Sequence, residues 1–264
     1  MSDAVTPPGP LRRFLEGDLW HSFSHTPTAI VAASIALACI VVAAFTNMLA
    51  PHHPFDLATL ELADSRLPPA WLPEGRSTYL LGTDDQGRDI LSALMYGSRI
   101  SLLVGLASVV LSTIFGVTLG LLSGYLGGKT DAVIMRICDV MLSFPAILLA
   151  LLIDGVGRAL FPQAHDALAY AVLIVAISAT GWVPYARAVR GGAMVERQKE
   201  YVQAARVIGV SPLRIMRRHV LPNVLGPVMV LATLQLATAI LIEATLSFLG
   251  VGVPPTSPST SSPR

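Results

Sequence analysis

The stretch from Arg187 to Pro222 constrains this chain more than any other. It reads RAVRGGAMVERQKEYVQAARVIGVSPLRIMRRHVLP and is a long polar segment between two strongly apolar ones. It carries eight basic residues: Arg187, Arg190, Arg197, Lys199, Arg206, Arg214, Arg217 and Arg218. Lys and Arg near the ends of membrane spans resist translocation, so a loop this short and this basic stays in the cytoplasm. Once that loop is inside, the side of every other loop follows.

Only 13% of the 264 residues are charged and 53% are apolar. A soluble domain carries about 25% charge, so the chain reads as one polytopic membrane domain. The expected fold is all-α, a multi-pass transmembrane helical bundle of about five spans. The net charge of +1 gives no reason to expect a nucleic-acid partner, because charge here is segregated by loop. Cys39 and Cys138 both lie in apolar segments; they read as small apolar fillers rather than as a disulfide or metal site.

Residues 1–28 are polar, with Arg12 and Arg13 ahead of the first apolar run. That run, Ala29 to Ala50, is 22 residues, too long for a signal core and long enough to span. It is read as an uncleaved first span with its N-terminus inside, opening a membrane domain over 29–250. Residues 51–99 form a polar external loop. Asp84, Asp85 and Asp89 invite a metal reading, but the alternating acids and twelfth-position Glu of a calcium loop are missing. A turn whose Asp89 caps the next helix fits better. No metal, cofactor or catalytic group is expected.

Span two runs from about Ile100 to Leu126. Ser108, Ser112, Gly116, Gly120 and Gly124 recur every fourth residue, a ridge of small residues on one face that favours close helix packing. Ser123 to Thr130 nearly matches a phosphate-binding loop, but Ser123 stands at its first glycine and a span rather than a strand precedes it. Span three, about Ala132 to Ile153, holds Arg136 and Asp139 three residues apart, read as a mutual ion pair near the cytoplasmic end. Pro145 should kink it. Span four covers about Leu168 to Tyr185. Span five, about Asn223 to Leu249, holds the intramembrane acid Glu243, either a functional carboxylate or a hydrogen-bonded packing residue. The Ser/Thr/Pro tail of 251–264 is not apolar enough to cross, so the count is five and the C-terminus is expected outside.

Inside the central loop, Glu196 to Ile208 is rich in helix formers and Gly209 ends the run. Ser211 offers an N-cap oxygen, Pro212 takes the first helical position, and Pro222 closes the second helix after Leu221. Tyr201, Ala204, Ala205 and Ile208 share one face. Periodicity leaves two readings open: an amphipathic segment on anionic lipid, or a helix–hinge–helix plug for a partner's groove.

Gln203-Ala204-Ala205, then Gly209, then Leu221-Pro222 resemble the "EAA" loop of inner-membrane permease subunits of binding-protein-dependent ABC importers. Gln203 stands where that pattern has Glu, and His219 where it has an apolar residue. Glu200 to Pro212, and Arg217 to Asn223, are most similar to the dipeptide, oligopeptide and nickel branch. The segments Leu81–Asp89 and Tyr96–Leu102 resemble that branch's external segment before its second span. Asp131, Arg136, Asp139 and Pro145 resemble its third span, and Glu243 to Gly250 the end of its fifth.

The resemblance implies a permease for peptides or a similar small solute, without a nucleotide-binding site of its own. It implies cytoplasmic ATPase subunits docked on residues 187–222, a second permease subunit and an external substrate-binding protein. Members of that branch continue into a sixth span, so a non-transporting fragment is one rival. A secondary transporter or channel is another, weakened because Glu243 alone sits well inside a span. Twelve basic residues fall on the proposed inner side, Arg12, Arg13, Lys129, Arg136 and the eight of the loop, against Arg66, Arg76, Arg88, Arg99 and Arg158 outside. A cysteine placed at position 200 should therefore react with an impermeant thiol reagent only from the cytoplasmic face; labelling from the periplasm would reverse the topology.

Overall fold

A computed structural model describes residues 22–56, 62–160 and 165–249. The Ser/Thr/Pro tail and the first part of the N-terminal segment lie outside the described residues. Helices dominate: α1 (Pro27–Ala44), α2 (Thr46–Leu49), a 3-10 turn (Leu62–Asp64), α3 (Ile90–Leu126), α4 (Gly128–Ser143), α5 (Ala146–Leu160) and α6 (His165–Glu196). Then come α7 (Glu200–Val207), α8 (Pro212–Ile215), a π turn (Met216–Val220) and α9 (Leu221–Phe248). Four stretches are long and apolar enough to cross a membrane: Pro27–Ala44, Ile90–Leu126, Leu168–Glu196 and Pro212–Phe248. The bent pair α4–α5 makes a fifth if counted as one crossing. The all-α polytopic expectation holds.

The chain divides into two compact units. One comprises residues up to Pro54 together with 60–99. In it α1 shows apolar side chains all round; Val31, Ile35, Leu37 and Ile40 are exposed and Ala43 is its one buried residue. Buried Thr46 donates its hydroxyl to the Met95 carbonyl at 3.2 Å. The polar segment is knotted by its own acids. Asp64 accepts from Arg76 and Tyr79, and Asp85 pairs with Arg66 at 2.7 Å. Burial pushes the Asp84 carboxyl up, but the Arg88 and Gln86 backbone N–H groups and the Arg88 guanidinium outweigh it and hold the group below its usual range. Asp89 accepts from the Leu91 and Ser92 N–H groups and the Ser92 hydroxyl, at 3.3, 3.1 and 2.5 Å. That cap starts α3 ten residues before Ile100, where the apolar run alone places the span. Among the described residues no three His, Cys, Asp or Glu side chains gather as a metal cluster.

In the second unit α3, α6 and α9 form the core. The five small residues of α3 face α6. The Ser178 hydroxyl donates to the Ser108 carbonyl at 3.1 Å, and the Ser112 hydroxyl lies 3.5 Å from the Ser178 carbonyl. A Cβ built on Gly116 would come within 2.4 Å of the Trp182 oxygen. On Gly120 it would stand 2.6 Å from the Ala186 oxygen, and on Gly124 2.5 Å from the Arg190 oxygen. The two helices pack closely along this ridge, backbone against backbone over the roughly two turns from Gly116 to Gly124. Helix α9 closes on the pair through Gly105–Ile240, Gly181–Gln235 and Gly192–Val224.

Three helix boundaries differ from the sequence reading. Phe144 takes extended backbone ahead of Pro145, as residues before proline do, and α4 and α5 diverge by 94°. A kinked single helix is thus a sharp two-helix corner. The polar stretch from Arg187 is largely not a loop: α6 continues through Pro184 to Glu196, and α7 begins only at Glu200. Nor does Pro222 close a helix. It sits in the first turn of α9, directly after the π turn. Its missing N–H leaves that part of the ladder free to widen.

Leu in place of Gly120 has no room without parting two backbones, whereas Ala237 is exposed. Overpacking of this kind costs roughly 1–3 kcal/mol or more, about 4 °C or more in Tm. Gly120→Leu should show that loss in a detergent melting series, and Ala237→Leu should not.

Candidate functional site

The loop end of the three-helix core gathers most of the residues singled out in the sequence. Helix α3 stops because Gly127 and Gly128 take φ +69° and +55°, conformations that side chains with a Cβ avoid. Helix α4 starts at once, with Asp131 in its first turn. The Asp131 carboxylate accepts from Ser123 of α3 at 2.5 Å and bidentately from Arg190 of α6, at 2.5 and 2.7 Å. Such fork-to-carboxylate contacts are directional as well as strong.

Asp139 does not pair with Arg136. Its partner is Arg187 of α6, at 2.7 Å, and Arg136 is exposed. The reason is tertiary: buried Ile134 and Cys138 turn α4 against Val183 and Ala186 of α6. That brings Asp139 to a cation on the neighbouring helix.

Helix α7 is amphipathic in an unexpected register. Val202 and Ala205 are buried, joining Leu121, Tyr125, Val189, Ile215 and Val220 in one apolar cluster. Tyr201, Ala204, Val207 and Ile208 are exposed, Val207 at 87% and Ile208 at 78%. So Ala205 belongs to the inner face, and the outward apolar face is Tyr201, Ala204, Val207 and Ile208. Positions 202 and 205 could have been assigned inward had the fixed partner been visible; a lone eight-residue helix shows two weakly apolar faces.

The hinge is tightly specified. Gly209 has φ +81° and no heavy atom near its Cβ position, so backbone conformation rather than space demands glycine. Its N–H donates to the Arg206 carbonyl and that of Val210 to the Ala205 carbonyl, both at 3.0 Å. That is the paired bonding of a Schellman stop, with Val210 packed on the cluster behind it. Ser211 is extended, and its side chain caps no N–H; its carbonyl instead accepts from Ile215 at 3.1 Å. Pro212 takes the first helical turn.

Two further residues fasten α7. The Tyr201 hydroxyl donates to Glu196 of α6 and accepts from Asn223 of α9 at 2.9 Å. The carboxylate beside it raises the Tyr201 pKa above the ordinary phenol value, with burial adding to it. Gln203 donates to the Arg197 carbonyl at 3.3 Å. Leu221 packs on the same cluster, while Pro222 is exposed. Leu213 and Arg214, Arg217 and Arg218 line an open depression beside Ser211.

Glu243 lies in α9 far along the chain from this site. It is 5% exposed and accepts from Ser101 of α3 at 2.6 Å and Ser247 at 2.9 Å. Two hydroxyl donors hold it between α3 and α9. Asp131, Arg190, Asn223 and Tyr125 escaped the sequence reading as partners. One signal was readable for Asp131: an acid in the first turn after a Gly-Gly break, eight residues from a serine.

These features define a class: a multi-pass helical membrane protein whose spans are bonded to a short amphipathic helix on a glycine hinge. The chain belongs to the family described as binding-protein-dependent transport system inner membrane component, which residues 116–263 match. A di/tripeptide transport system permease protein of Pseudomonas aeruginosa is 40% identical over 95% of this chain and 77% of its own length. A dipeptide transport system permease protein of Escherichia coli is 42% identical over 97% of this chain and 79% of its own length. An oligopeptide transport system permease protein of Bacillus subtilis is 36% identical over 88% of this chain and 70% of its own length. The protein is accordingly a multi-pass permease component of a bacterial inner membrane.

Ala205→Glu would bury a carboxylate at a site only 6% exposed. Left unpaired it should cost roughly 3–5 kcal/mol. The variant should melt far below wild type in detergent, while Ala204→Glu, on the exposed face, should melt within about a degree or two of it.

Proposed function

We propose that this chain is the permease subunit of an ABC importer for di- and tripeptides or short oligopeptides. In this reading a cytoplasmic ATPase seats on α7 and α8, a second permease subunit completes the pathway, and an external binding protein delivers the solute. The observation that carries it is the outward apolar face of α7, Tyr201, Ala204, Val207 and Ile208, held rigid from behind by a buried cluster and the Gly209 stop. An exposed apolar face on a fastened helix suits a groove on another protein. Leu213 of α8 is also exposed, and Arg214, Arg217 and Arg218 beside it suit an acidic rim to that groove.

Alternating access then follows from linkage. Closure of the ATPase pair displaces α7, and helices bonded to α7 move with it, opening the pathway on one side as it closes on the other. The solute class rests on the peptide permeases named above.

Two substitutions test the seat. Val at Gly209 would hold a β-branched residue at positive φ, about 1–2 kcal/mol of strain that re-aims α7. Ile208→Asp puts charge on the outward face. Each should release the ATPase on co-purification and lower uptake of a labelled dipeptide into proteoliposomes about tenfold or more, with the permease still inserted. Full ATPase retention and uptake in both would refute the assignment.

A further inference from the structure

Apolar packing of α7 on the core holds it by burial and is non-directional. Tyr201 adds directional ties to α6 and α9, through Glu196 and Asn223. The tie to α3 is made at the end of that helix. Tyr125 is the penultimate residue of that helix and 7% exposed. Its hydroxyl accepts from Arg206 Nε of α7 at 3.3 Å, and the Arg206 guanidinium carbon stands 4.8 Å from its ring centroid. Its carbonyl accepts from Arg197, in the connection between α6 and α7, at 3.4 Å. A Cβ on the neighbouring Gly127 would lie 2.9 Å from the same Arg197 guanidinium, so the glycine keeps that approach open. Arg190 reaches the last turn of α3 from a third side, through Asp131 and Ser123. Three arginines thus ring the carbonyl end of α3, where the helix dipole favours cations.

We infer that Tyr125 is the positioning residue that makes α3 follow α7, with Arg206 as its clasp and Arg197 as the second tie. The inference rests on the reading of α7 as the ATPase seat. The division of labour is physical: the Val202–Ala205 face supplies burial, and the Arg206–Tyr125 contact, a cation beside the ring with a hydrogen bond to its hydroxyl, adds a directional tie to α3. From Tyr125 the displacement enters the whole core, since α3 cannot slide on α6 where glycines 116, 120 and 124 bring backbone against backbone.

The test uses the complete importer in proteoliposomes and reads solute moved per ATP hydrolysed. Tyr125→Leu keeps an apolar side chain but removes ring and hydroxyl; Arg206→Met keeps the stem and removes the charge. Both should retain the ATPase on co-purification and hydrolyse ATP, yet move at least fivefold less solute per ATP. The double variant should be no worse than either single, as expected for two halves of one contact. Tyr125→Phe and Arg206→Lys should fall between these and wild type, and they decide the matter if the larger changes prevent folding. Unchanged stoichiometry in all four singles, or fully additive losses in the double, overturns the clasp. Failure of the wild-type chain itself to hold the ATPase would instead strike the docking assignment.

Discussion

Everything in the second unit depends on the backbone contact between α3 and α6. In lipid there is little hydrophobic reward for joining two apolar helices, so close van der Waals fit and local hydrogen bonds must hold them. Small residues at every fourth position allow that fit, and the serines at 108, 112 and 178 add bonds to the facing carbonyls. The contact fixes the height of α3 against α6. It thereby fixes which residues of α6 meet α4, and where the chain leaves α6 to form α7. Helix α9 then packs on a pair already locked in register.

Polar chemistry is concentrated at the ends of this core. At one end Glu243 is held by two serine hydroxyls. At the other, Asp131 and Asp139 are matched by Arg190 and Arg187. Ionised groups are expensive at the bilayer centre, and placement near helix ends with partners lowers that cost. The apolar middle is correspondingly free of such pairs among the described residues. Exposed Leu103, Leu106, Val110 and Phe115 on α3 mark a face open to lipid.

Much of this was legible in one dimension. The five apolar runs, the small-residue ridge, the Asp89 cap and the Gly209 stop are local signals, carried by length, period or a single permissive residue. What escaped was non-local. Asp139 chose Arg187, 48 residues away, over Arg136 on its own helix. Arg206 met Tyr125, 81 residues away. No period encodes such pairs; they follow from the relative heights of helices that only assembly sets. The inward turn of Ala205 was hidden for the same reason, since a short helix shows which residues share a face but not which face is covered. Polar composition also hid the continuation of α6 to Glu196, because helix formers and charges together describe a loop and an exposed helix equally well.

The π turn at Met216–Val220 has a consequence for the geometry above and below it. Such a turn holds one residue more than an α-helical turn, and one residue corresponds to about 100° of rotation about the axis. The faces of α8 and α9 are therefore out of phase, although the backbone runs on without a break. Buried Ile215 and Met216 lie on one side of this offset, and buried Val220, Val224 and Val228 on the other. Both sets reach the same apolar cluster. A change of winding in this turn would re-aim α8 without twisting the membrane-crossing part of α9.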